Sequence, residues 1–111
     1  MDALLDESDA EEILHEIGCQ KEGIDIMLPK AKFRLIFLEN VNSGTANIVK
    51  QEMLSVGGDA AVAVGTVTCK VPETNILLMG TLAQYKRVVE KLGRNVLGCP
   101  DIAKRIEKTL E

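Results

Sequence analysis

Twice in this chain an apolar, strand-like run is followed within a few residues by a helix-start signal, and that pairing restricts the fold more than any other feature. The first run is Leu35-Ile36-Phe37-Leu38, before Asn42-Ser43-Gly44-Thr45; the second is Ile76-Leu77-Leu78-Met79, before Gly80-Thr81. A period-2 or uniformly apolar run suits a pleated surface, whereas the Asn, Ser and Thr clusters can cap the free N–H groups of a helix. An all-helical bundle and an all-β sandwich are both excluded by this alternation. As evidence for an internal β-α duplication, the two units match too thinly to use.

The segments that follow carry helical spacing. After the first turn, Ala46, Val49, Met53 and Val56 recur at the period of a helix, which runs from about 45 to 56 and stops at Gly57-Gly58. After the second, Thr81 with Gln84 forms a capping box, and Leu82, Tyr85, Val89 and Leu92 make the buried stripe of a helix to about Lys91. Lys86, Arg87, Lys91 and Arg94 lie on or near its other side and read as a solvated face. Pro100 in a first helical turn, with Ile102, Ala103, Ile106 and Leu110, predicts a C-terminal helix. At the other end, Ser8 with Glu11 predicts a capping box for a short helix bearing Ile13, Leu14 and Ile17, stopped by Gly18.

The remaining strands are read from alternation. Ala31 to Val41 places Phe33, Leu35 and Phe37 on one face and Arg34, Ile36 and Leu38 on the other, a strand covered on both faces at its middle. Gly23 to Leu28 reads as a short extended segment ended by Pro29. From Asp59 to Val71 the alternation changes parity at Gly65, which predicts a strand with a β-bulge there, and Pro72-Glu73-Thr74-Asn75 turns the chain. The resulting order is helix, short strand, strand, helix, strand, strand, helix, helix. The expected fold is a two-layer α/β (α+β) sandwich, a three- to four-stranded, mainly antiparallel sheet with helices packed on it.

A chain of 111 residues, 46% hydrophobic and 27% charged, is expected to fold as one domain over residues 1–111 without disulfide staples. Its net charge of −4 and its three aromatic residues, Phe33, Phe37 and Tyr85, argue against a nucleic-acid partner, which calls for a basic face and stacking platforms. No apolar run approaches the roughly 20 residues of a membrane helix, and the acidic start lacks the positive end of a signal peptide. The expectation is a cytoplasmic protein with no membrane partner.

Chemistry-bearing residues are few. Cys19, Cys69 and Cys99 are widely spaced and odd in number, and His15 is the single histidine, so neither a zinc site nor a closed disulfide framework is expected. Cys69 reads as a small buried hydrophobe in a strand; Cys99, near a helix N-terminus, is the thiol whose pKa a helix dipole would lower. His15 sits among Glu11, Glu12 and Glu16 and reads as a surface residue rather than a base. No catalytic residue, metal ligand or cofactor is assigned. The candidate ligand or anion loop is Asn42, Ser43, Gly44 and Thr45 with Gly80 and Thr81, where unpaired N–H groups and helix dipoles attract anions. The turn at 42–45 lacks the glycine spacing and lysine of a P-loop, and a plain capped helix start is its simpler account. Gly57-Gly58-Asp59 could line a pocket, or be a helix stop and tight turn.

The stretch Ala46 to Ala63, with Lys50-Gln51-Glu52-Met53-Leu54-Ser55-Val56-Gly57-Gly58-Asp59-Ala60-Ala61 at its core, resembles part of the N-terminal extension carried by some bacterial and archaeal dihydropteroate synthases. The likeness continues through Ile26-Met27-Leu28-Pro29-Lys30-Ala31 and Leu78-Met79-Gly80-Thr81 and covers about residues 10 to 100. In that family the chemistry, joining a pterin pyrophosphate to para-aminobenzoate, resides in a TIM barrel with the signature Asn-x-Thr-Pro-Asp-Ser-Phe, which has no counterpart here. The resemblance therefore implies a non-catalytic accessory or assembly domain associated with folate biosynthesis, and transfers no catalytic residue. The partner that the resemblance implies is a dihydropteroate synthase-type barrel. The alternative, from a different class, is a small-molecule-binding or regulatory domain using the loops before residues 45 and 81. Either way apolar surface remains to be covered, because the two terminal helices add stripes beyond what one face of a small sheet holds; the expectation is self-association or docking on a partner, and the alternative is that both terminal helices fold onto the second face within the chain.

Overall fold

The computed structural model describes residues 2–111. The elements are α1 (Ala10–Ile17), α2 (Lys21–Met27), β1 (Phe33–Asn42), α3 (Ser43–Ser55), β2 (Asp59–Val62), β3 (Glu73–Thr81), α4 (Leu82–Gly93) and α5 (Cys99–Leu110). The sheet is three-stranded and antiparallel in the order β1-β3-β2. The sequence pattern predicts this α/β class; the nearly all-apolar run Ile76–Met79, which reads as either central or covered on both faces, lies in the central strand.

Helices α3, α4 and α5 cover one face of the sheet. Ile36, Leu38 and Val41 of β1, Ile76 and Leu78 of β3 and Ala60 of β2 meet Val49 and Met53, Tyr85, Val88 and Leu92, and Ile102 and Ile106 in one continuous core. The Tyr85 hydroxyl crosses this layer to donate to the Arg34 carbonyl at 2.8 Å. On α4 it is Val88, not Val89, that is fully buried beside Tyr85 and Leu92, one position off the predicted stripe.

Four local expectations are corrected. The 23–28 stretch is helical: Ile24 is buried and Ile26 exposed, the sidedness of a helix, and Pro29 sits in the first turn of Leu28–Lys30, where a missing N–H costs nothing. A six-residue run with apolar residues at every second position fits both periods, and its last residues also offer a helical spacing. The N-terminal capping box is made by Asp6 and Asp9 around Glu7–Asp9, two residues ahead of the Ser8 and Glu11 expected. β2 ends at Val62: the next N–H, of Ala63, donates to the Thr74 hydroxyl at 2.9 Å, and residues 64–69 coil into turns through Thr66, Cys69 and Lys70. Gly65, with φ +92°, begins that turn and is no bulge within a strand. The irregularity in the sheet lies in β1 between Leu38 and Val41, where Asn40 has φ +55° and its N–H donates to Asn75 Oδ1. Asn tolerates that left-handed conformation better than most residues.

The other face of the sheet is open. Phe33, Leu35 and Phe37 of β1 are 50%, 63% and 57% exposed, and the register sets Leu35 beside Met79 and Phe37 beside Leu77. The expectation that β1 is covered on both faces at its middle is therefore overturned. The reason is where the terminal helices go: α5 joins the core layer, while α1 and α2 pack on each other and on the turns beside the Phe33 end. The result is an elongated molecule of 52 × 28 × 22 Å with a radius of gyration of 16.3 Å, against about 13 Å for a compact chain of this length.

Candidate functional site

The polar loop before α3 is held by its own contacts. Asn42 Oδ1 accepts from the N–H groups of Gly44 at 2.9 Å and Thr45 at 3.4 Å, so the side chain caps donors that an anion would otherwise meet. Ser43 donates its hydroxyl to the Val71 carbonyl at 2.6 Å and its N–H to Pro72 at 3.1 Å, and the Thr45 hydroxyl donates to the Leu97 carbonyl. Ser43 and Thr45 are both buried. The loop thereby pins the 63–72 turns and the α4–α5 connection to the start of α3.

Gly80 and Thr81 sit elsewhere. Phe33 pairs with Thr81 at one end of the sheet and Asn42 with Glu73 at the other, so the two loops lie roughly 25–30 Å apart at about 3.3 Å per residue. They do not form one site. Thr81 and Gln84 make the capping box that the sequence predicts: the Thr81 hydroxyl accepts from the Gln84 N–H at 3.2 Å and Gln84 Oε1 accepts from the Thr81 N–H at 2.8 Å. Beside them lies a hollow of about 290 Å³ whose lining includes Lys30, Thr81, Gln84 and Arg87.

Gly57-Gly58 closes the same end of the sheet for steric reasons. Gly57 takes φ +91°, and a Cβ on Gly58 would stand 2.8 Å from the Met79 carbonyl oxygen and 2.8 Å from Met53 Cε. The glycines let α3 turn directly onto the central strand.

The larger concavity, about 630 Å³, lies between the N-terminal segment and the start of β1. Its wall is mostly apolar, with Leu5, Ile13, Leu14, Met27 and Phe33, and it opens at Phe33 onto the exposed sheet face. Glu7 fixes the segment in place: its carboxylate accepts from the Phe33 N–H at 3.1 Å and pairs with Arg34 at 2.6 Å. The hydrogen bonds from Arg34 and then from Phe33 hold the Glu7 carboxyl below its ordinary range.

Among the described residues no group of three or more His, Cys, Asp or Glu converges as a metal site. The thiols are dispersed. Cys69 is exposed in a turn at φ +55°, not buried in a strand, because β2 stops before it. Cys99 is fully buried at the start of α5, and its thiol is pushed up by burial and by the charge of Glu52, the opposite of the lowering that a helix N-terminus would bring. Burial likewise pushes Tyr85 up to about 12. His15 is exposed. Among the described residues no helix is long and apolar enough to cross a membrane.

The alternation of β1 puts Phe33, Leu35 and Phe37 on one face; what it does not supply is that this face is uncovered, or that Leu77, Met79 and Ala61 are its neighbours across the sheet.

No family model and no solved structure matches this chain. A probable bifunctional folylpolyglutamate synthase/dihydropteroate synthase of Halobacterium salinarum is 29% identical over 102 residues. The match spans 92% of this chain but only 12% of that protein. The chain is thus similar, across nearly its whole length, to a short stretch of a folate-related bifunctional enzyme.

Proposed function

We propose that this chain is a non-catalytic accessory or assembly domain associated with folate biosynthesis, similar in role to the N-terminal extension of dihydropteroate synthase. The observation that carries the reading is the open apolar face of the sheet, in a chain similar to a stretch of a folate-related enzyme. A face of Phe, Leu and Met residues is costly to leave in water and is the kind of surface that docks on protein. On this reading the domain works by contact, in the cytoplasm, on a dihydropteroate synthase-type barrel. Co-purification tests it: tagged chain mixed with such a barrel should retain it, and Phe37→Lys should release it. A barrel that elutes at the same position with and without the chain contradicts the proposal.

A second reading is favoured by one feature, the hollow that sets Lys30 and Arg87 beside the capped start of α4 at Gly80-Thr81. Here the domain binds a small anionic metabolite and acts as a regulatory module, with Asn42, Ser43, Gly44 and Thr45 serving a separate structural end. Thermal shift with inorganic phosphate and with a pterin pyrophosphate separates the readings, since a ligand at 100 times its Kd stabilises the fold by about 2.7 kcal/mol. A rise abolished by Arg87→Ala supports the regulatory module. An unchanged midpoint rejects it.

A further inference from the structure

The accessory reading gives the second face to a protein partner, and we propose that in the absence of a barrel its occupant is a second copy of this chain, which a barrel would displace, the two sheets stacking face to face about a two-fold axis. This deepens the accessory reading and rests on it for its biological meaning, but the physical case is independent.

The face is two-sided in its chemistry. Its centre, Leu35, Phe37, Leu77, Met79 and Ala61, holds no charge, whereas Glu39, Asp59 and Glu73 lie at its margins. In an isologous contact each patch meets its own kind, so like charges placed centrally would repel; here Asp59, beside Met79 on the edge strand, stays at the rim with Glu39 and Glu73, and the centre is apolar. The patch is a flat pleated surface, the shape that another sheet packs against at about 10 Å with strands roughly 30° apart.

Area decides whether such a contact holds. The face exposes three large residues at half or more of their surface and continues through Phe33 into the groove of Leu5, Ile13, Leu14 and Met27. Together these offer roughly 700 Å² of apolar surface per copy, near the ~800 Å² per partner of a standard interface and above the largest patch usual on a monomer. Two copies supply matching areas of matching shape. The chain's own helices do not reach the face: α3, α4 and α5 are spent on the opposite side, and Glu7 ties the N-terminal segment to the Phe33 end. Folding both terminal helices over the second face, the intramolecular solution, is not what the chain does.

The test is sedimentation velocity of the full chain with Leu35→Lys, Phe37→Lys and, as a control on the exposed side of α3, Leu54→Lys. The mutated side chains are all exposed, so the variants keep the far-UV circular dichroism spectrum of the parent. The parent and Leu54→Lys should sediment at twice the 12.1 kDa chain mass, and the two face variants at the single mass. A parent that stays monomeric up to about 100 µM, or a Phe37→Lys variant that remains dimeric, overturns the proposal. The barrel experiment fails separately. A monomeric chain that binds a barrel through Phe37 overturns the second copy and leaves the accessory reading standing; a dimer that binds no barrel does the reverse.

Discussion

Gly58 shows how a single residue joins the two layers. Its missing Cβ would stand 2.8 Å from the Met79 carbonyl oxygen, an atom of the central strand that cannot move aside as a side chain would. Gly58→Ala should therefore lower stability by about 1–3 kcal/mol in urea unfolding, the range for overpacking a well-filled site; a change under about 0.5 kcal/mol would contradict the contact. The cysteines separate by burial. Cys99→Ser places a hydroxyl where the side chain is fully enclosed and should cost about 1–3 kcal/mol, while Cys69→Ser, exposed in its turn, should stay within about 0.5 kcal/mol. Equal losses at the two positions would refute this placement. Glu7 supplies the pH dependence. Its folded carboxyl is held below the ordinary range by Arg34 and the Phe33 N–H, so the contact is at full strength above the unfolded-state value and is lost as pH falls through the folded one. The Phe33 amide resonance should titrate with a midpoint below that of an unperturbed glutamate, and Glu7→Gln should erase the transition. A midpoint at or above the ordinary value would contradict the ion pair.

At the scale of elements, the strand-to-helix junctions were the most legible part of the sequence, because each is written in local chemistry. Thr81 and Gln84 form their capping box between side chains three residues apart, and Asn42 caps α3 by the same short reach. Thr81→Ala should accordingly destabilise the fold by about 1 kcal/mol in denaturant unfolding, with Thr81→Ser close to neutral; a full-strength Thr81→Ala variant would show that the tertiary layer holds α4 without its cap. Elements whose form depends on distant partners were less legible. α2 alternates like a strand over Ile24, Ile26 and Leu28 and is decided by what Ile24 is buried against. β2 stops at Val62 because Thr74, 11 residues further on, takes the N–H of Ala63. The candidate loops read correctly as helix starts, but nothing local says that they lie at opposite ends of the sheet; that follows from the antiparallel pairing of Phe33 with Thr81 and Asn42 with Glu73.

At the scale of the whole molecule, the chain builds a complete core on one side of its sheet and leaves the other unfinished. The N-terminal segment, which could have covered it, is held at one end, giving the extended 52 Å axis. An accessory domain that acts by contact gains from this arrangement, because its docking surface is rigid sheet rather than mobile loop and loses little entropy on binding. The most direct test is radical footprinting of the native chain, dilute against concentrated, read at Leu35, Phe37 and Met79 with the exposed side chains Leu54 and Val96 as references. Labelling of the three face residues should fall as concentration rises while the references hold constant. Face labelling that does not change with concentration, or that falls no more than at Leu54 and Val96, would contradict the account.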